Sequence, residues 1–418
     1  MQRSRYRREG HFEWMLLVLV AALSLLGLLC ISMATYNVEV SEGAPLLNKI
    51  LNSRSSMWQS IFIIVSPIVF AVVLSLPTEL LRSRARIAYY GVLGLLVLTL
   101  VMGQVSNNLR GWLKSSILGR SIQPSEFAKL VIILMLARQF ARSEKPMTRL
   151  RDFSVSAAIV GVPVLVILAQ GETGTVIVIA FVFWVMLFFA GGDMRFLGIM
   201  VAAVFLLFGL LVYYGTHYGT TDYRILRLLA FLDPQKYELN GGYQIIMSKD
   251  AIGSGQLMGR GTFVQGSFTT LQFVPESSTD SIFTVVGESF GFIGSVAVLT
   301  AYFLMVIRML YLAQRTSDKF RRLVIIGVMS MFLFHVFQNI AMSMGIMPIT
   351  GIPLPFLSYG GSNYISNIAA IAVVMNIARG GSEVQAYAMP APREKIQEER
   401  KGFFRRFGAK IREFLTTP

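Results

Sequence analysis

The sequence predicts an all-α polytopic membrane protein with about ten transmembrane helices, both termini cytoplasmic and a long extracytoplasmic loop between helices 7 and 8. Three observations carry this. Of the 418 residues, 54% are hydrophobic and only 15% are charged, against about 25% charged in a soluble domain. Mean hydropathy is +0.60, and the apolar residues fall in blocks of the roughly 20 residues that cross a bilayer. Finally, the basic residues cluster beside the blocks, on alternate connections. That clustering reads the net charge of +15 as membrane orientation and argues against a nucleic-acid partner.

The spans are expected at about 14–34, 57–76, 87–105, 124–141, 154–170, 174–190, 195–214, 281–310, 323–345 and 361–378. The first, Trp14–Ala34, lacks a small-residue cleavage exit and reads as a signal anchor. It holds Cys30, the single cysteine, so no internal disulfide can form. Only GETGT at 171–175 splits the fifth span from the sixth, and only GGDMR at 191–195 splits the sixth from the seventh. Arg3, Arg5, Arg7 and Arg8 precede the first span. Arg82, Arg84 and Arg86, then Arg142, Lys145, Arg149 and Arg151, then Arg315, Lys319, Arg321 and Arg322 fall on the same side. The polar stretch 215–280 falls on the other. The short outer loop 106–123 breaks the rule with Arg110, Lys114 and Arg120, either as interfacial anchors or as cations with a task.

Residues 1–378 thus form the membrane domain and 379–418 a tail with nine basic residues from Arg379 to Arg412. In the tail Ile396, Phe403, Phe404, Phe407, Ile411 and Phe414 recur at helical spacing. This fits an amphipathic helix on the anionic leaflet, or a disordered basic tail.

Three segments carry candidate chemistry. PITGIPLPFLSYGGSN at 348–363 has three prolines and three glycines between two apolar runs. It cannot continue a membrane helix, and irregular backbone at that depth survives only when buried or lining a cavity. QPSEFAK at 123–129 places Glu126 and Lys129 at i, i+3 on one helix face, behind Pro124 at the first turn. The pair is either a structural lock or a functional intramembrane charge. In VPESSTDSIFTVVGE at 274–288, Ser277 and Asp280 resemble a capping box. The alternative is a carboxylate at the water–membrane boundary, able to accept a proton; Glu276 and Glu288 are less specific. There is no P-loop, zinc-protease motif, paired-cysteine site or nucleophile elbow, and His11, His217 and His335 are scattered.

These segments, in this order on ten spans, resemble the SEDS family (shape, elongation, division and sporulation), which includes RodA and FtsW. GIPLPFLSYGGS at 351–362 is the most diagnostic, with QPSEFAK and PESSTDSIF before it; GGYQIIMSKDAIGSG at 241–255 looks more like the elongation members, typified by RodA, than the division members. The chain departs from the family pattern at Ser278, at Glu288-Ser289, at Arg110-Gly111-Trp112 and at GETGT.

The resemblance implies a peptidoglycan glycosyltransferase of the bacterial cytoplasmic membrane. It would polymerise lipid II on the outer face during elongation, with Asp280 as base. Asp280 would also be the ligand of any divalent cofactor, magnesium or manganese. Arg110 and Lys114 are candidates for the substrate's diphosphate, Trp112 and Glu276 for further substrate contacts, and Tyr359 for a sugar face. Pro353, Pro355, Ser358, Tyr359, Gly360 and Gly361 would form the cavity rim, and Glu126–Lys129 its wall. Implied partners are a class B penicillin-binding transpeptidase and other elongation-complex membrane proteins. The competing readings are a lipid II flippase and a non-catalytic scaffold for the transpeptidase.

Overall fold

The structure is a computed structural model that describes residues 13–36, 45–51, 53–106, 109–115, 120–142 and 150–387. The amphipathic-tail expectation, from 388 on, lies outside them. The all-α membrane class stands. Each of the ten predicted spans coincides with a helix: α1 (Trp14–Ala34), α3 (Arg54–Ser75), α4 (Thr78–Met102), α5 (Pro124–Ala141), α6 (Leu150–Gln170), α7 (Thr173–Phe189), α8 (Met194–Tyr218), α11 (Ile282–Arg315), α12 (Lys319–Ser343) and α13 (Gly361–Tyr387). A short α2 (Leu46–Leu51) precedes α3. Among the described residues, eight helices are long and apolar enough to cross a membrane. Of the other two, α7 is 17 residues long, and α5 holds Glu126, Lys129 and Arg138 in 18 residues.

Local chemistry sets the ends. Asp193, Asp222 and Asp318 each accept a backbone N–H of the first turn of the helix that follows. Pro124 opens α5, where its missing N–H costs nothing. The helices then sort by burial. α12 is 89% buried over its apolar window and packs against α5, α7, α11 and α13, while α3 lies along α13. By contrast α8 is only 6% buried, and its Phe205, Leu206, Leu207 and Leu210 face outward, as lipid-facing side chains do.

Two connecting regions are more ordered than the sequence suggests. The loop after α4 folds into a small antiparallel sheet in the order β1 (Gln104–Ser106), β2 (Leu109–Ser115), β3 (Arg120–Ile122), with Gln104 opposite Trp112 and Lys114 opposite Ser121. The stretch 215–280 begins inside α8 and contains α9 (Tyr223–Leu232), a 3₁₀ turn (Glu238–Asn240) and α10 (Gly242–Ser254). From there to Ser281 the chain is irregular but tied to α11. At Gly291 (φ +64°, ψ −158°) α11 breaks, and the N–H groups of Phe292 and Ile293 bond to the carbonyls of Gln256 and Leu257 at 2.9 and 3.2 Å. A Cβ on Gly291 would collide with the backbone of Gly259, so only glycine fits.

Glu288 locks the same junction. Its buried carboxylate accepts the backbone N–H of Phe268 and Thr269 at 2.7 and 2.9 Å, and Arg260 lies 3.7 Å away. Glu288 is therefore a staple for the loop before α11, a role the sequence does not signal.

Candidate active site

Asp280 does not cap α11. That helix starts at Ile282 with Ser281 flanking it, so the expected Ser277–Asp280 capping box does not form. Instead residues 276–281 make a tight turn, in which the N–H groups of Thr279 and Ser281 both bond to Glu276 O. Glu276 holds a left-handed conformation at φ +52°, and its exposed carboxylate accepts Thr279 Oγ1 at 2.9 Å. The turn presents a partly buried Asp280 side chain. Among the described residues that carboxylate makes no hydrogen bond or ion pair. Burial pushes it up from 3.8 to about 6; the Glu276 charge adds to the rise and Arg227 opposes it.

The proline-glycine segment is the backing of this turn. Asn339, fully buried on α12, donates through Nδ2 to Asp280 O at 2.7 Å and to Ile352 O at 2.8 Å. Ser358 Oγ donates to Thr279 O at 2.5 Å, and Tyr359 N to Ser278 O at 2.9 Å. A Cβ on Gly351 would sit 3.2 Å from Asp280 Oδ2. Gly351, at φ +71°, therefore lets the segment close on the carboxylate. The rest of the segment goes inward rather than forming an open rim. Leu354, Pro355, Phe356, Leu357 and Ser358 are buried. Pro355 O accepts Tyr302 OH at 2.5 Å, and Phe356 stacks on Phe332 at 5.6 Å. Pro353, Tyr359, Gly360 and Gly361 are half-buried, and Gly361 faces the Phe62 ring of α3.

Next to the Asp280 turn, though not lined by Asp280 itself, lies an open cavity of about 520 Å³, walled by Tyr223, Arg227, Glu238, Tyr243, Gln244 and Pro275 among others. Gln244 Nε2 fixes it to the Asp280 turn, donating to Ser281 Oγ at 2.9 Å. Tyr223 OH donates to Gly171 O at 3.2 Å, and a Cβ on Gly174 would meet Thr350 O at 2.6 Å. The α6–α7 turn is thereby joined to both the cavity and the proline-glycine segment. Within that turn Glu172 is buried and accepts Gln123 Nε2 at 2.8 Å and Ser125 Oγ at 2.5 Å. Burial holds its carboxyl above the ordinary range, assisted by the nearby Glu126 charge.

Arg110 and Trp112 stand on β2, Arg110 exposed and Trp112 half-buried. Gly111 between them lies against the Glu172 carboxylate with no room for a Cβ. Lys114 is on the same strand, paired with Ser121. Among the described residues, the cation whose charge reaches Asp280 is Arg227 rather than Arg110.

Glu126 and Lys129 do pair, at 2.9 Å, nearly fully buried. They belong to a larger network. Asn363 Nδ2 donates to Glu126 Oε2 at 2.9 Å, and Lys129 Nζ lies 2.9 Å from His335 Nε2. His335 Nδ1 is 2.7 Å from Met331 O. A carbonyl only accepts, so Nδ1 carries the proton and Nε2 accepts from the ammonium. Sequence reading passed over His335, Asn339, Arg227 and Gln244. Only His335 carried a signal, as an ionisable residue inside an apolar span. Among the described residues no group of three His, Cys, Asp or Glu side chains converges to hold a metal.

The profile of the FtsW/RodA/SpoVE cell-cycle proteins matches residues 13–383. The chain is 35% identical over 310 residues to the peptidoglycan glycosyltransferase MrdB of Escherichia coli, covering 74% of this chain and 82% of MrdB. It is 30% identical to the peptidoglycan glycosyltransferase RodA of Treponema pallidum, covering 89% and 99%. In three dimensions it resembles the Rod shape determining protein RodA of Thermus thermophilus, with a TM-score of 0.64 and 26% identity over 90% of this chain and 98% of that one. It also resembles a chain from a peptidoglycan synthase complex that coordinates polymerization and crosslinking, with a TM-score of 0.71 and 27% identity over 88% and 98%.

Proposed function

The chain belongs to the FtsW/RodA/SpoVE family of cell-cycle proteins, and on that premise we propose a specific reaction and site for it. It is a multi-pass cytoplasmic-membrane peptidoglycan glycosyltransferase. Its substrate is lipid II, a disaccharide-peptide on a polyprenyl diphosphate, polymerised on the outer face during cell elongation. A class B penicillin-binding transpeptidase works beside it.

One observation supports the site above the others: Asp280 is a carboxylate with a raised pKa and no hydrogen-bond partner among the described residues, its carbonyl held by Asn339 Nδ2 and the next residue, Ser281, tied to Gln244 in the wall of the neighbouring cavity. In the proposed step Asp280 takes the proton of an acceptor sugar hydroxyl. The hydroxyl oxygen bonds to the anomeric carbon of the donor, and the bond from that carbon to the diphosphate breaks with inversion. One base suffices for such a displacement, because the acceptor itself is the nucleophile. With a pKa of about 6, Asp280 is ionised at neutral pH yet basic enough to assist. Arg110 and Lys114 are the proposed diphosphate contacts. A magnesium or manganese ion, if used, would take Asp280 and the substrate's own oxygens, and would neutralise the leaving diphosphate.

The test is glycan polymer made from lipid II by purified protein, with a partner transpeptidase present or absent. Wild type is expected to give polymer, and Asp280→Asn none at equal folded yield. Equal polymer from both would remove Asp280 as base. Lipid II crossing liposome membranes with no polymer under any partner or metal condition would favour a flippase.

A further inference from the structure

Among the described residues, four arginines gather at the end of the bundle remote from Asp280. The backbone N–H of Gln123, just ahead of α5, donates to Ser362 Oγ at 3.0 Å, so α5 starts beside the proline-glycine segment. Arg138 and Arg142 stand at the other end of the same helix, roughly 20–30 Å further along at 1.5 Å per residue. There Arg138 donates through Nη1 to Ser83 O on α4 at 2.8 Å. The charges of Arg86, Arg142 and Arg82 all bear on Arg138. Arg82 and Arg86 share a face of α4 at i, i+4, and Arg138 and Arg142 have the same spacing at the end of α5. A bias of basic residues to one side of the membrane explains their number. It does not explain why two helices aim four like charges at one spot. Neighbouring acids do not relieve the repulsion. Glu79 is taken by Arg321 at 2.7 Å. Asp318 lies 3.7 Å from Arg82 and also accepts the Arg321 backbone N–H. Among the described residues, Arg86, Arg138 and Arg142 have no carboxylate within ion-pair distance. The surroundings are those of a bilayer surface. On α4, Ile87 is 61% and Tyr90 67% exposed, and Tyr90 follows Arg86 by one turn on the same face. Tyrosine suits headgroup depth, and guanidinium forks match phosphate oxygens.

We propose that the adjoining ends of α4 and α5 form a binding site for the phosphate headgroup of an anionic phospholipid. Arg86 and Arg142 grip the phosphodiester, Arg138 ties it to α4 through Ser83 O, and Arg82 adds attraction at longer range. The acyl chains run along the exposed face of Ile87 and Tyr90, which a soluble anion would leave bare. The bound phosphate cancels the repulsion among the arginines. It thereby joins the two helices between which the β1–β3 sheet is strung. The site goes beyond the glycosyl-transfer reading and does not depend on it. Nor does it depend on which leaflet this end of the bundle meets, since it needs only a headgroup at this depth.

The test uses the full-length protein in a neutral detergent, with phosphatidylglycerol, cardiolipin, phosphatidylethanolamine or inorganic phosphate added. Native mass spectrometry counts the retained lipid, and scanning fluorimetry reads the thermal midpoint. The two anionic lipids should bind and raise the midpoint, as any ligand of the folded state does. Arg86→Gln or Arg142→Gln should each weaken that binding by about three-fold, and the two together by about ten-fold. Neither side chain makes a hydrogen bond or ion pair among the described residues, so the midpoint without lipid should hold. Arg84→Gln removes the same charge from an exposed position on another face of α4, outside the group around Arg138. It should change the affinity by less than about two-fold. Equal weakening by Arg84→Gln and Arg86→Gln would reduce the effect to overall charge and overturn the site. Retention unchanged in the double variant would overturn it too, as when the basic tail alone holds the lipid. So would phosphatidylethanolamine binding as well as phosphatidylglycerol. A midpoint rise with inorganic phosphate equal to that with lipid would assign a soluble anion instead. Displacement of the lipid by soluble polyglutamate would assign an acidic protein segment, and either result rejects the lipid.

Discussion

Asp280 places catalysis and stability in opposition. Its folded pKa, about 6, lies above the ordinary 3.8, so the fold disfavours the ionised form that a base requires. Between those two pH values the folded chain binds more protons than the unfolded one, so stability falls as pH rises through this window and stays reduced above it. The raised pKa, from 3.8 to about 6, corresponds to on the order of 1–3 kcal/mol. Asp280→Asn should therefore raise the thermal midpoint at pH 8 and leave it unchanged near pH 4, measured on the same detergent-solubilised protein. The rate–pH profile of the wild type should have an acid limb near 6. Glu276→Gln should move that limb down by removing a repelling charge, and Arg227→Gln should move it up. A limb that both substitutions leave in place would mean that another group titrates. The spacing around Asp280 left open a helix cap and a free carboxylate, because a serine three residues before an acid fits a cap and a tight turn equally well. Only the turn around Glu276, at φ +52°, decides between them.

Among the elements, α5 shows how far a periodic pattern reaches. The i, i+3 spacing of Glu126 and Lys129 fixes their shared face and hence their pairing. It says nothing of α12 and α13, which supply His335 and Asn363 and turn the pair into an interhelical lock. Removing one partner leaves a buried charge, at a cost of about 3–5 kcal/mol. Lys129→Ala should thus lose most of its monodisperse folded yield in size-exclusion chromatography. Glu126→Gln with Lys129→Met should recover much of it, since no charge is then stranded. Good yield from Lys129→Ala with lost polymerisation would shift the pair from packing to chemistry. The sheet after α4 shows the opposite limit. Its strands of three, seven and three residues have no apolar alternation, and what holds the sheet in place includes Glu172, about 60 residues downstream of Gly111.

The whole molecule has an orientation that one residue makes testable. Cys30 is buried, so the natural protein offers almost no background to a thiol reagent. The topology proposed from the basic residues, with both termini cytoplasmic, predicts that Lys236→Cys is labelled by a membrane-impermeant maleimide in intact cells, and Arg84→Cys only after lysis. The reverse pattern would invert the topology and place Asp280 away from any extracytoplasmic substrate.

At this scale the sequence by itself determined the membrane class, the places of the helices and the family, because bilayer thickness and the cost of exposed peptide groups write themselves into local runs of about 20 residues. It could not determine what faces Asp280. Asn339, Gly351, Arg227 and Gln244 approach that carboxylate or its turn from 36 to 71 positions away along the chain. Such meetings depend on how α9, α10 and α12 pack and on where the proline-glycine segment turns inward. No periodicity records them, and only the tertiary structure decided which polar groups share the site.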